Sequence, residues 1–151
     1  MPHNNPYVGP RPFERDDAER FFGRERDARD LASLVVAHRV VLLYSASGAG
    51  KSSLVNAGVY PVLERKGFDL PPPVRVGAPG AAESENPFTA TIAEQIGARG
   101  SIAEALQIRP RSRDEDGEPV PRALVLDQFE ELFTAHAEHW QHRAALFGGL
   151  D

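Results

Sequence analysis

The stretch RVVLLYSASGAGKSSLVNAG (39–58) restricts the fold more than any other part of the chain. Residues 39–44 form a short apolar run rich in β-branched side chains, which predicts a parallel strand covered on both faces. A loop carrying Gly48 and Gly50 follows, and then a segment predicted helical from about Lys51 to Lys66. Pro61 lies inside that segment, so a kink or an early stop is expected there.

The alternation continues along the chain. Residues 1–15 read as an extended, proline- and asparagine-rich lead ahead of a domain over 16–151. From Asp16 to about His38 the pattern is helical, with Asp16 or Asp17 as cap and Ala28, Leu31 and Val35 on one face. PPPVRVGAPG reads as a short strand between breakers. ENPFTATIAEQIGARG reads as a helix capped by Asn86, opened by Pro87 and closed by Gly97 or Gly100, and SIAEAL as a further helical turn. RPRSRDEDGEPVPR (109–122) is a charged, solvated connection. ALVLD (123–127) is a second buried strand, and beyond it Phe133, Ala137, Trp140, Ala144 and Phe147 form a core-facing stripe at helical spacing. Strands alternating with helices predict an α/β fold with a mostly parallel sheet.

The glycine loop has the chemistry of a phosphate cradle. Such a cradle needs inward backbone N–H groups, a helix N-terminus behind them and one mobile cation. Ser45, Ala46, Ser47, Gly48, Ala49 and Gly50 supply the backbone, and the two glycines open conformations closed to other residues. Lys51 is placed to reach the β- and γ-phosphates, Ser52 to set its hydroxyl on Mg²⁺, and Ser53 to bond the α-phosphate. The usual pattern is G-x-x-x-x-G-K-[ST], and Ser45 stands at its first glycine. That position lies where the strand turns into the loop. A small residue keeps the path there if its backbone angles are tolerable, so binding is expected to be weakened or unchanged and not lost.

ALVLDQFEELF supplies the acids that phosphate chemistry requires. Asp127, at the end of a buried strand, is the candidate Mg²⁺ ligand. Glu130 or Glu131 is the candidate for orienting or deprotonating an attacking water, and the spacing does not choose between them. Acids also suit a first helical turn without any catalytic task.

Three segments, NPYVGPRPFERDDAERFFGRERDARDLASLV, GAGKSSLVNAGVYPVL and LVLDQFEELF, together resemble the STAND P-loop NTPases, in particular the novel STAND class 1. The likeness runs from about residue 5 to 147. It implies a three-layer α/β/α P-loop NTPase fold and an ATP-binding signalling switch. In such a switch Mg²⁺-dependent hydrolysis drives conformational change or oligomerisation, in some relatives during bacterial defence. It implies Lys51 and Ser52 as the Walker A pair, Asp127 as the Walker B acid, and Glu130 and Glu131 as the acids after it. FFGRE resembles the segment near the adenine and ribose, so Phe22, Gly23 and Arg24 become candidate nucleotide contacts. Effector, winged-helix or WD-repeat domains are the partners it implies, with self-oligomerisation. The family places a sensor strand between the Walker A and Walker B strands, and the sequence stops one helix past Asp127. The expected fold is therefore an incomplete one, truncated before that strand. The rival reading is a degenerate nucleotide-binding or scaffold module without turnover. A GTPase is disfavoured because no N-K-x-D segment is present.

Bulk properties narrow the remaining classes. The 151 residues carry a net charge of −5, against a nucleic-acid surface, and no cysteine for disulfides or thiolate metal sites. No apolar run approaches a membrane span and no signal peptide opens the chain, so a cytoplasmic protein is expected. His136, His139 and His142 recur every third residue, a spacing that walks around a helix without converging on a metal.

Overall fold

A computed structural model describes residues 9–76, 87–95 and 112–134 together with Gln141 and Ala144. It has two compact units, Met1–Leu70 and Pro71–Asp151. In the first, a single carboxylate organises the entry of the chain. Arg15–Arg20 form a 3-10 helix. Asp17, inside its first turn, accepts the N–H of Glu14 at 3.0 Å, and its own N–H donates to the Glu14 carbonyl at 3.0 Å. Arg11 donates to Asp17 Oδ2 at 2.6 Å and Arg20 to Oδ1, so the charge, only 2% exposed, is fully partnered. Asp17 thus works from the third helical position in a capping box, not as the cap expected of Asp16 or Asp17.

The helix expected over 16–38 is two elements. Gly23, at φ +85°, interrupts it, because a left-handed residue cannot continue a right-handed helix. Helix α1 (Glu25–Ala37) then buries Ala28 and Ala32, while Leu31 and Val35 are half-buried. The buried line is therefore made of alanines, which permits close approach. Gly58 meets it: a Cβ there would stand 3.0 Å from Ala28 Cβ and 3.3 Å from the Phe21 ring.

The second helical run does not stop at Pro61. Helix α2 (Lys51–Ser53), a π-helical segment (Leu54–Val59) and helix α3 (Tyr60–Arg65) follow one another without a gap. Widening the ladder, with Tyr60 N–H donating to Val55 O, puts Pro61 at the start of α3, where its missing N–H is tolerated. Leu54, Ala57, Val59, Tyr60 and Leu63 are buried along this run, and Arg15 lies 4.2 Å over the Tyr60 ring. Residues 39–44 depart most from expectation. They form no strand, and Val40, Leu42 and Tyr44 are 78%, 71% and 82% exposed. A strand exists only through its ladder, and among the described residues the first unit holds no other strand to supply one.

In the second unit, β1 (Val74–Arg75) pairs in parallel with β2 (Leu126–Asp127), with Val74 opposite Leu126 and Arg75 opposite Asp127. Helix α4 (Pro87–Gln95) contributes Phe88 and Ile92 to a core with Val74, Val76 and Leu132. Gln95 closes the outer side of β1: Oε1 accepts Arg75 N–H at 2.9 Å and Nε2 donates to Arg75 O at 2.7 Å. Helix α5 (Glu131–Thr134) buries Leu132 and leaves Phe133 59% exposed, which overturns the expected stripe at that residue. Ala144 is exposed as well, and Ala137, Trp140 and Phe147 lie outside the described residues. In 112–122, Asp114 Oδ1 accepts the N–H groups of Asp116 and Glu118, closing a solvent-facing turn. Asn86, the expected ends at Gly97 or Gly100, and SIAEAL are outside the described residues.

Two outcomes follow from the first unit. Gly58→Val forces α1 away from the helical run and should destabilise the protein by about 1–3 kcal/mol in urea unfolding. The hydrogen bond from Arg11, with the Glu14 backbone bond, holds the Asp17 carboxyl at about 2 against an ordinary 3.8. Its stabilisation is thus complete above pH 3.8 and is lost as pH falls through about 2. Melting curves of wild type and Asp17→Asn should differ at pH 7 and converge across that window.

Candidate functional site

The loop adopts the backbone its glycines imply. Gly48 and Gly50 lie at φ +78° and +76°. Among the described residues Gln128 is the only non-glycine with a positive φ, so Ser45 occupies a conformation open to any residue. Serine at that position brings no backbone strain. Ser45, Ala46, Ser47, Gly48 and Ala49 are exposed, and Gly50 begins the helix without a capping side chain. The first-turn N–H groups of a helix have no intrahelical carbonyl to bond.

Lys51 bends back over this loop, its Nζ donating to Ser45 O at 3.1 Å and Ala46 O at 3.4 Å. Ser52 and Ser53 are half-buried in the first turn. Ser53 Oγ accepts the N–H of Phe13 at 3.1 Å, and Asn56 donates to Glu14 at 3.1 Å, so the N-terminal segment is fastened to the helix behind the loop. Of the three FFGRE candidates, Arg24 alone reaches the loop: Nη1 donates to Ala49 O at 3.1 Å, while Nε is held by Asp27 at 2.9 Å. Gly23 provides the bend before it, and Phe22 is 74% exposed.

The acids belong to the second unit. Asp127 ends β2, and Gln128, at φ +54°, turns the chain so that its N–H donates to Asp127 Oδ1 at 2.9 Å. The side-chain Oε1 of Gln128 is buried without a hydrogen-bond partner among the described residues. Glu131 is gripped by Arg75 through Nε at 3.1 Å and Nη2 at 2.5 Å, which pushes the guanidinium above its ordinary value. Glu130, one residue earlier, is exposed. The loop and the acids are thus each preorganised within their own unit. Arg75 and Gln128 escaped the sequence reading, because neither an ion pair to a distant residue nor a left-handed glutamine leaves a spacing signal.

A sequence model of the family Novel STAND NTPase 1 matches residues 6–150. The chain belongs to this family. No curated protein and no solved structure matches it. The match covers the glycine loop, the FFGRE segment and the acidic strand of this STAND NTPase domain. Its described part is a mixture of helices with a two-stranded parallel sheet. Among the described residues no helix is long and apolar enough to cross a membrane, and no group of three or more histidine, aspartate or glutamate side chains could hold a metal. His136, His139 and His142 are outside them.

Gln128 carries a measurable cost. A side chain in the left-handed region is disfavoured by roughly 1–2 kcal/mol, and glycine accepts it freely. Gln128→Gly should therefore raise the unfolding free energy by about 1 kcal/mol in urea titrations.

Proposed function

We propose that this STAND NTPase domain is the nucleotide-binding part of an ATP-driven molecular switch. The observation that carries the reading is the family match over 6–150, spanning a loop whose two glycines are both left-handed and open onto a helix. Lys51 holds loop carbonyls in place of phosphate oxygens. Exchanging those partners for the β- and γ-phosphates needs no new cation. Ser52 and Asp127 would each offer a hard oxygen donor of the kind Mg²⁺ takes, and the chemistry the ion would supply is neutralisation of charge in phosphoryl transfer. ATP hydrolysis then drives a conformational change or self-association, as in a switch.

The two glutamates divide the remaining work. Arg75 occupies Glu131 from two nitrogens and ties α5 to β1, so Glu131 serves as an anchor. Glu130 presents an exposed carboxylate and is the water-activating residue. ATP binding and turnover should be measured in wild type and in Lys51→Ala, Glu130→Gln and Glu131→Gln. Lys51→Ala should lose ATP binding. Glu130→Gln should keep binding while turnover falls by about 100-fold or more. Glu131→Gln should lower the melting temperature more than Glu130→Gln does. Equal turnover in wild type and Lys51→Ala rejects the enzymatic reading in favour of a scaffold module.

A further inference from the structure

We infer that Arg24 is a positioning residue for the phosphate loop, fixing the Ala49–Gly50 peptide so that the Gly50 N–H is held ready for a phosphate oxygen. The ligand's identity rests on the nucleotide reading above, and the role rests on the loop itself. The C=O and N–H of a planar trans peptide point in opposite directions. Holding Ala49 O on Arg24 Nη1 at 3.1 Å therefore directs the Gly50 N–H away from α1. That choice has to be imposed from outside, because glycine at 50 permits either orientation of the peptide at little cost. Ala49 N–H, donating to Ala46 O at 3.3 Å, restrains the preceding peptide, and Arg24 acts on the next one, where the loop enters the helix.

The guanidinium is itself preorganised. Asp27, in the first turn of α1, holds its Nε at 2.9 Å, and the left-handed Gly23 sets the chain's entry to that turn. A planar fork can serve both partners at once, which a lysine ammonium on a flexible stem does less well. The two are in ordinary contact: a Cβ on Gly50 would stand 3.5 Å from Arg24 Nη1. Asp27 also neutralises Arg24, which makes it a weaker electrostatic partner for phosphate than a lone arginine. In this inference Arg24 acts through the loop carbonyl it holds.

Asp27 provides the discriminating test. If Arg24 met phosphate directly, Asp27→Asn would free its charge and tighten ATP binding. If Arg24 positions the loop, Asp27→Asn and Arg24→Ala should both weaken ATP binding, Arg24→Ala by about tenfold, the scale of one charge-assisted hydrogen bond. The double variant should be no weaker than Arg24→Ala. In nucleotide-free protein, ¹⁵N relaxation of Ala49 and Gly50 should show greater nanosecond mobility in Arg24→Ala, with Arg24→Lys intermediate and used alone should Arg24→Ala fail to fold. Unchanged relaxation at both amides, or tighter ATP binding by Asp27→Asn, overturns the inference. Should wild type bind no ATP, the nucleotide reading fails and the relaxation measurement alone decides the role of Arg24.

Discussion

Two left-handed peptide links, at Gly48 and Gly50, set the direction of everything near the loop. They let the chain emerging from residue 44 reverse and enter a helix within a few residues. Any other side chain at either position would cost roughly 1–2 kcal/mol in backbone strain, even though a Cβ at Gly48 would meet nothing within 4 Å. The motif's glycines are therefore unequal. Ser45 needs no left-handed backbone, and so its departure from the usual pattern leaves the loop's shape intact. The consensus string fixes glycine at 45 and 50, while the backbone takes a left-handed conformation at 48 and 50.

What could be read from the sequence was what depends on neighbours along the chain. The glycine loop and the proline-led helix at 87 rest on local geometry. What escaped depends on distant partners. The apolar pattern of 39–44 fits a buried strand, but burial needs a ladder that no other described strand of the first unit provides. Glu130 and Glu131 are alike in sequence and differ only because Arg75, 56 positions away, grips one of them. Helical periodicity tolerates a glycine at 23, whereas its positive φ divides the segment in two. Phe133 continued a helical stripe on paper, and the neighbouring Leu132 took the buried place.

The choice of cations follows a consistent chemistry. Lysine occurs only at 51 and 66, and the fixed contacts are made by arginine. Arg11 and Arg20 hold Asp17, Arg75 holds Glu131, and Arg24 spans Asp27 and Ala49. A guanidinium presents a rigid fork suited to permanent, geometrically exact pairing. An ammonium is a compact charge on a flexible stem, better suited to exchanging one set of oxygens for another. In the proposed switch, Lys51 would make such an exchange.

The amide of Gln95 imitates a neighbouring strand along the outer side of β1, giving Arg75 both the acceptor and the donor that a third strand would have given. This side chain makes that flank unavailable as a template, so another polypeptide cannot zip onto it without first evicting the glutamine.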